Sequence, residues 1–493
     1  QDEYLDALLF CDGRQGFSSG SCEECCDTNV QAIYRCQQCF NGGLLCQNCC
    51  VNRHFHLPLH QIETWDSGCF EHMTLFELGL VVQPGHGNHP CPNPKKGMSS
   101  FTVIHINGLH KVSIYFCDCS TAPHTRIQLL HSGWFPATVV SPQTCATFDI
   151  LRHFHLLSLQ SKLSAHQFYC ALERGTDNTG LLNLQTRYVS FLRIICEWRN
   201  LKLLKHGGCA HDPSGTDGMK PGKLAITCPA CPDPDINLPP NWEKSPQELQ
   251  YLYMYFQAND ANFRLKNHLN TVINVDLRTR WSYFVENEPY KRFLAQQGAQ
   301  TEMSTCSGLT AIDHANTKNS KGLRVTGVGA SICTCHGFLR PLGIGNLQKG
   351  ERFSNMDYII FSALRGYSPP SLALSYDLIC QYWTKIRQRM PRLPPELRVD
   401  LDKLSVKLFL PKLHALAHKS ECSVLYSLNF TPGVGRTDGE GIEREWVEIN
   451  IAANSTKEMS EGVHHDTLDD LLGDKNFWKE IGLGGFPCHL TFF

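Results

Sequence analysis

The chain has 493 residues, 42% of them hydrophobic and 19% charged, which excludes a disordered polymer and exceeds what one hydrophobic core serves. The formal net charge of −2 excludes a global positive field that would draw the protein to nucleic acid, so any DNA contact must come from local patches. No apolar run is long enough to span a bilayer, and Gln1-Asp2-Glu3-Tyr4 begins neither a signal peptide nor a reading frame, which suggests a fragment or a trimmed gene.

Residues 1–10 read as a short amphipathic piece, after which the composition changes. The chain holds 25 Cys and 23 His. An odd cysteine total with C-x2-C pairs and no signal peptide argues for zinc in a reducing compartment rather than a disulfide framework. Three such pairs, Cys22/Cys25, Cys36/Cys39 and Cys46/Cys49, are followed by His54, His56 and His60. Each pair presents two thiolates to one tetrahedral ion, and interleaving assigns Cys22, Cys25, Cys46 and Cys49 to one zinc and Cys36, Cys39, His54 and His60 to another. His56 is an alternative to His54, and buried free thiols are the competing reading. Full ligation makes such sites structural.

Residues 61–98, with Trp65, His86, His89 and Cys91, read as a connector. Phe101 to Phe116 alternates around Asn107-Gly108 and predicts a hairpin that ends at Cys117-Asp118-Cys119. Cys91 is a candidate to join that C-x-C. Residues 142–206 read as helical, with one helix opened at Pro142-x2-Cys145 and a second over about 187–205. The second carries Arg187, Arg193, Arg199, Lys202 and Lys205, either a basic face for phosphates or a solvated surface. Residues 207–245 are dense in Gly, Pro and Asp and contain Cys228-Pro-Ala-Cys231, half a zinc site. Its other half is Cys333 or Cys335 with His336, or Cys306.

The stretch Leu252–Leu265 reads as a buried strand that ends in Asp260 and turns basic at Arg264. A strand is expected over 323–330 and an amphipathic helix over about 355–364. Leu372 to Asp377 is a second apolar strand ending in Asp, running into a helix at Leu378. A short strand is expected over 422–428, then a helix after Asp438-Gly439-Glu440-Gly441, with acids in its first turn. Gly327-Val328-Gly329 lacks the third glycine of a dinucleotide fingerprint. Singly, each acid reads as a turn residue or a helix start. Two strand-end Asp followed by a helical Glu is, however, the order in which ribonuclease-H-like nucleases and transposases place an acidic triad. Carboxylates from separate elements can then hold two divalent ions about 3.5–4 Å apart for in-line phosphoryl transfer.

Several phrases carry a resemblance. Asp260-Ala-Asn-Phe-Arg-Leu-Lys266, Asn346-Leu-Gln-Lys-Gly-Glu-Arg-Phe-Ser-Asn-Met-Asp-Tyr358, Tyr376-Asp377-x2-Cys380-Gln381 and Asp438-Gly-Glu-Gly-Ile-Glu-Arg444 resemble the Kyakuja–Dileera–Zisupton (KDZ) transposases, DNA transposon enzymes of fungal genomes. Arg35-Cys36-x2-Cys39-Phe40, Leu45-Cys46-x2-Cys49-Cys50, Pro58-Leu59-His60, Gly133-Trp134-Phe135-Pro136-Ala137-Thr138 and Cys228-Pro-Ala-Cys-Pro232 are similar to their associated CxC-type cysteine cluster region. The resemblance implies an α/β protein whose ribonuclease-H-like catalytic region, a mixed sheet with flanking helices, covers 246–493. Before it lie a zinc-binding module with its connector (1–98) and a hairpin plus helical region (99–245). It further implies a nuclear DDE-type strand transferase with catalytic Asp260 and Asp377, and Glu443 ahead of Glu440 as the glutamate. Structural Zn²⁺ and catalytic Mg²⁺ or Mn²⁺ are the implied cofactors. The implied partners are transposon ends, target DNA and a second copy of the protein, with no membrane. Arg264, Lys349, Arg352, Lys385, Arg387, Lys412 and Lys419 are the candidate phosphate contacts. Two departures, Asn346 where the family phrase usually has Asp and an early C-terminus, point to the alternative of a decayed copy. In that alternative the zinc module is the working part and binds DNA or protein.

Overall fold

The computed structural model describes residues 1–483 apart from 18, 19, 41, 87, 88, 99, 235, 273, 275, 278, 279, 299–305 and 307–320. The fold is mixed α/β, and the chain divides into two compact units, residues 1–198 and 199–493.

In the first unit an antiparallel three-stranded sheet joins Tyr34–Cys36, Ile62–Asp66 and Cys69–Met73. The stretch read as a connector therefore contains a hairpin. Ser67 and Gly68, both at positive φ (49° and 95°), form its two-residue turn, the geometry that matches strand twist. The surrounding Pro, Gly and His hid that short alternation. The expected hairpin, Phe101–His105 with Gly108–Cys117, lies in a mixed sheet with Val81–Val82, Pro94–Lys96, Trp134–Pro136 and Thr144–Thr147. The first helix does not open at Pro142. Residues 144–147 pair as a strand, and the Thr147 side chain then accepts from Ile150 N at 3.4 Å and caps Phe148–Gln160. Helices Phe148–Gln160 and Ala165–Thr176 close over a core of Ile104, Phe135, Ile150, Phe154, Phe168 and Phe191.

The second unit is built on five strands, which we number β1 (Met254–Asn262), β2 (Gly327–Cys333), β3 (Leu339–Leu347), β4 (Ser371–Tyr376) and β5 (Ser405–Phe409). Their spatial order is β3-β2-β1-β4-β5. β1 and β2 pair antiparallel, as do β2 and β3, whereas β4 runs parallel to both β1 and β5. Central β1 is buried along most of its length, as expected of a strand flanked on both sides. It begins two residues later than its apolar run and continues two residues beyond Asp260. The region 323–330 splits into Leu323–Val325, paired with Asn267–His268, and the start of β2.

Three helices complete the unit: α1 (Phe353–Ser362), α2 (Gly441–Ile449) and α3 (Glu461–Leu483). Every residue of α1 but Ser354 is buried, so it is a core helix rather than the amphipathic one expected. Its single carboxylate, Asp357, is neutralised by Arg389 at 2.8 and 3.2 Å. The expected strand at 422–428 is instead helix Ser420–Leu425, and just beyond it Ser427 bridges to Leu410. Within it Ser423 Oγ bonds the carbonyls of Ala415 and Lys419. The edge position goes to β5, Ser-Val-Lys-Leu-Phe, whose weak apolar signal escaped notice.

Helix α1 sits close against the antiparallel half of the sheet because two strand residues are glycines. A Cβ on Gly329 would meet Met356 Sδ at 2.8 Å and Ile359 Cδ1 at 2.9 Å, and one on Gly345 would meet Ile359 Cγ1 at 2.8 Å. The glycines of Gly327-Val328-Gly329 thus serve packing. Gly329→Val is expected to overpack this layer at a cost of about 1–3 kcal/mol, read as a lower urea midpoint; an unchanged midpoint would contradict the close-packing account.

Candidate active site and metal centres

The strand register brings two acids together. In the parallel pair β1–β4, Ala258 lies opposite Ser375 and Asn259 opposite Tyr376, so the next residues, Asp260 and Asp377, emerge side by side. Behind them a buried polar network fixes the strands: Gln257 Nε2 donates to Asn259 Oδ1 (3.1 Å) and Ser331 Oγ (3.2 Å). Helix α2 crosses the mouth of this pair. Trp446 Nε1 donates to Asp260 Oδ2 at 2.7 Å, and Asn262 Nδ2 donates to Asn450 Oδ1 at 2.8 Å. Glu443 precedes Trp446 by three residues and so shares its helix face.

The electrostatics reflect that convergence. Burial, and then the charges of Asp377 and Glu443, push the Asp260 carboxyl well above the usual range. Burial, followed by the charge of Glu351, does the same to Asp377, and Glu443 adds to it. Asp377 Oδ1 is buried and accepts no hydrogen bond from any described residue. A carboxyl oxygen that accepts from no described donor and lies among other carboxyls is suited to a hard cation, and the all-oxygen set of Asp260, Asp377 and Glu443 fits Mg²⁺ or Mn²⁺.

The two candidate glutamates separate clearly. Glu440 is buried, and its Oε1 accepts from the Leu413 backbone N–H at 2.8 Å, so it braces the loop after β5. Glu443 is half-exposed and acts electrostatically on both aspartates, with His414 Nε2 3.9 Å from its carboxylate. Gly439, at φ +79°, makes the preceding turn possible, since a Cβ there would meet Ser375 Oγ at 2.9 Å and Pro411 Cα at 3.0 Å.

Glu351 is the acid that sequence reading passed over. It is buried, takes a 2.5 Å hydrogen bond from Tyr376 OH and is the leading charge acting on Asp377. It lay within the quoted phrase around Gly350-Glu351-Arg352, but no periodicity distinguishes it from a loop acid. Asn346 has a structural partner: its Nδ2 lies 2.7 Å from His465 Nε2, and His465 Nδ1 lies 3.0 Å from Asp276. The segment before the early C-terminus is, through residue 483, helix α3. It holds the fold through Asp469, which accepts from Tyr283 N and Phe284 N, and Asn476, which bonds Leu339 N and O.

Of the candidate phosphate contacts, Arg264, Lys349, Lys385 and Lys419 are exposed, and Lys412 and Arg352 are half-buried. Arg387 is exposed but paired with Asp402 at 2.7 Å. On the helix Tyr188–His206, Arg193 bonds the Ala137 carbonyl and Arg199 is buried with Asp470 Oδ2 at 3.4 Å, so those two do not form a free basic face.

Cysteine and histidine side chains gather as tetrads with donor atoms within 4.8 Å of one another. Cys22, Cys25, Cys46 and Cys49 form one, and Cys36, Cys39, His54 and His60 the next, in the interleaved pattern expected. His54 Nε2 lies 3.4 Å from Cys39 Sγ, while its Nδ1 bonds the Cys50 carbonyl at 2.7 Å, which orients the ring and favours His54 over His56. His86, Cys91, Cys117 and Cys119 form a third tetrad, to which His86 is an unforeseen contributor. Cys228 and Cys231 find their partners in Cys333 and His336 at the end of β2, not in Cys335 or Cys306. Tetrahedral zinc, with Zn–S near 2.3 Å and Zn–N near 2.0–2.1 Å, sets ligand edges of roughly 3.6–3.8 Å. Separations such as Cys39–His60 at 3.6 Å and Cys91–Cys119 at 3.9 Å match those edges, so these tetrads fit structural zinc.

Comparison with known families places residues 253–476 on the model of the Kyakuja-Dileera-Zisupton transposase. Residues 75–180 match the CxC2 like cysteine cluster associated with KDZ transposases. Asp260, Asp377 and Glu443 fall in the first match and the His86 tetrad in the second; the tetrads of residues 22–60 lie outside both. No curated protein and no solved structure matches the chain.

If the N-terminal tetrads hold the first unit's small sheet, Cys36→Ser should lose about one zinc equivalent by mass spectrometry. The sheet around Tyr34–Cys36 should also open to limited proteolysis. Full zinc content and an unchanged digest would contradict that assignment.

Proposed function

The chain carries a Kyakuja-Dileera-Zisupton transposase domain over residues 253–476, with the associated CxC2 cysteine cluster over 75–180, and from that premise we propose that it is a DDE-type DNA strand transferase of the nucleus. The observation that carries the reading is the pairing of Asp260 and Asp377 on adjacent parallel strands with Glu443 acting on both. The sheet order β3-β2-β1-β4-β5, antiparallel on one side of β1 and parallel on the other, supports a ribonuclease-H-like fold for the domain.

Asp260, Asp377 and Glu443 would hold the divalent cations. Bound there, such ions supply the charge that activates a water or 3′-hydroxyl and stabilises phosphodiester displacement. The remaining work falls to the chain itself. The Trp446 N–H fixes the Asp260 rotamer, so that carboxylate is oriented before any ligand arrives. Asp377 keeps one oxygen that accepts from no donor among the described residues, which leaves it open to a ligand. Glu443, half-exposed on the first turn of α2, faces the same space from a third element. Exposed Arg264, Lys349, Lys385 and Lys419 suit phosphate contacts that hold DNA without reading its bases.

Asp260→Asn keeps the Trp446 bond but removes a ligand charge. It should abolish Mg²⁺-dependent nicking while DNA retention is unchanged; undiminished nicking would refute the triad. Equal loss of nicking in both proteins, with DNA or protein binding retained by the zinc modules, would favour the binding-module alternative. The same variant relieves carboxylate repulsion. In chelator it should therefore melt above the wild type, by about 2–4 °C per kcal/mol relieved, whereas Mn²⁺ should raise the melting temperature of the wild type alone. Identical melting curves in chelator would contradict the charge crowding.

A further inference from the structure

Beside Asp377 lies a tetrad with no C-x2-C pair to announce it. Cys306, Cys380, His418 and Cys422 bring their donor atoms within 4.8 Å of one another from three separate parts of the chain. His418 Nδ1 stands 3.4 Å from Cys306 Sγ and 3.5 Å from Cys380 Sγ. Those lengths match the S···N edge of about 3.6 Å that a zinc tetrahedron requires. The backbone supports the same geometry, since Lys419 N donates to Cys306 Sγ at 3.4 Å, as a main-chain amide does to a ligating thiolate. A parallel contact, Cys46 N to Cys22 Sγ at 3.3 Å, occurs in the N-terminal tetrad.

The position of this tetrad gives it a role. Cys380 follows Asp377 by three residues, in the short helix Ile379–Tyr382 that the acid's turn leads into. His418 is buried, and its ring lies against the backbone of Asp377. His418 and Cys422 belong to the segment after β5, the same loop that Glu440 braces through Leu413. Asp377 Oδ1 accepts no hydrogen bond from any described residue, while the backbone N–H groups of its own turn act on the carboxylate.

We propose that Cys306, Cys380, His418 and Cys422 hold a structural zinc ion that pins the Asp377 turn to the loop after β5 and thereby positions that acid. The positioning half of this proposal rests on the two-metal reading of Asp260, Asp377 and Glu443; the zinc site stands apart from it.

Alkylation of the full zinc-loaded chain with N-ethylmaleimide, mapped by peptide mass spectrometry before and after chelation, tests the site without a variant. Half-buried Cys380 and Cys422 should be protected until zinc is removed, whereas half-buried Cys170 and exposed Cys69, outside the tetrads, should react in both states. Alkylation of Cys380 and Cys422 at the Cys170 rate in the zinc-loaded protein would overturn the site. Cys422→Ser should then lower bound zinc by about one equivalent and weaken Mn²⁺ binding roughly 10–100-fold, the usual cost of losing an orienting group. Cys422→His, which keeps four ligands, should retain the zinc and the Mn²⁺ affinity even if Cys422→Ser fails to fold. Loss of zinc with unchanged Mn²⁺ affinity would overturn the positioning role. Absence of Mn²⁺ binding in the wild type would overturn that role and the two-metal reading together, while the protection pattern still decides the zinc site.

Discussion

Like charges set the central constraint. Asp260, Asp377 and Glu443 are drawn to one end of the sheet, with buried Glu351 close behind, and burial adds to their repulsion. In a low-dielectric setting, carboxylates so placed either take up protons or share a cation. Trp446 N–H donates to Asp260, whereas Asp377 Oδ1 has no hydrogen-bond donor among the described residues. Sites that bind divalent ions are built this way, with stability given up locally so that affinity for the ion is gained.

The surrounding structure reads as the means of holding that strained arrangement. The register of β1 against β4 fixes two acids at adjacent positions, and a one-residue slip of either strand would turn its acid to the opposite face from the other. The Gln257–Asn259–Ser331 network locks β1 to β2, while Gly329 and Gly345 let α1 press on the opposite half of the sheet. Helix α3 then ties the outer strand β3 through Asn476. Cysteine–histidine tetrads join segments far apart in the chain, as Cys228 and Cys231 are joined to Cys333 and His336, and a metal there can supply a cross-link.

Much of this was legible from residue spacing. Interleaved C-x2-C pairs announced the first two tetrads, and apolar runs ending near Asp260 and Asp377 announced the paired strands. What stayed hidden was long-range or weakly patterned. Cys306 and Cys380 lie far apart in sequence, and His86 sits in a loop crowded with other histidines, so no spacing rule gathers them. Glu351 looks like an ordinary loop acid until the fold buries it beside Tyr376. Glu440 and Glu443 share one phrase, and only the Leu413 amide shows which is occupied by the backbone. Over residues 422–428 an apolar run of that length suits strand and helix alike, and spacing does not separate the two. Lys407 disguised β5 as a loop.

The account turns on whether the crowded acids share a cation. Anomalous diffraction from crystals soaked in Mn²⁺ tests this directly, because it locates the ion rather than inferring it from activity. The account predicts manganese peaks between Asp260, Asp377 and Glu443, about 3.5–4 Å apart if two ions bind. Strong peaks elsewhere on the protein, with none among these three carboxylates, would contradict it.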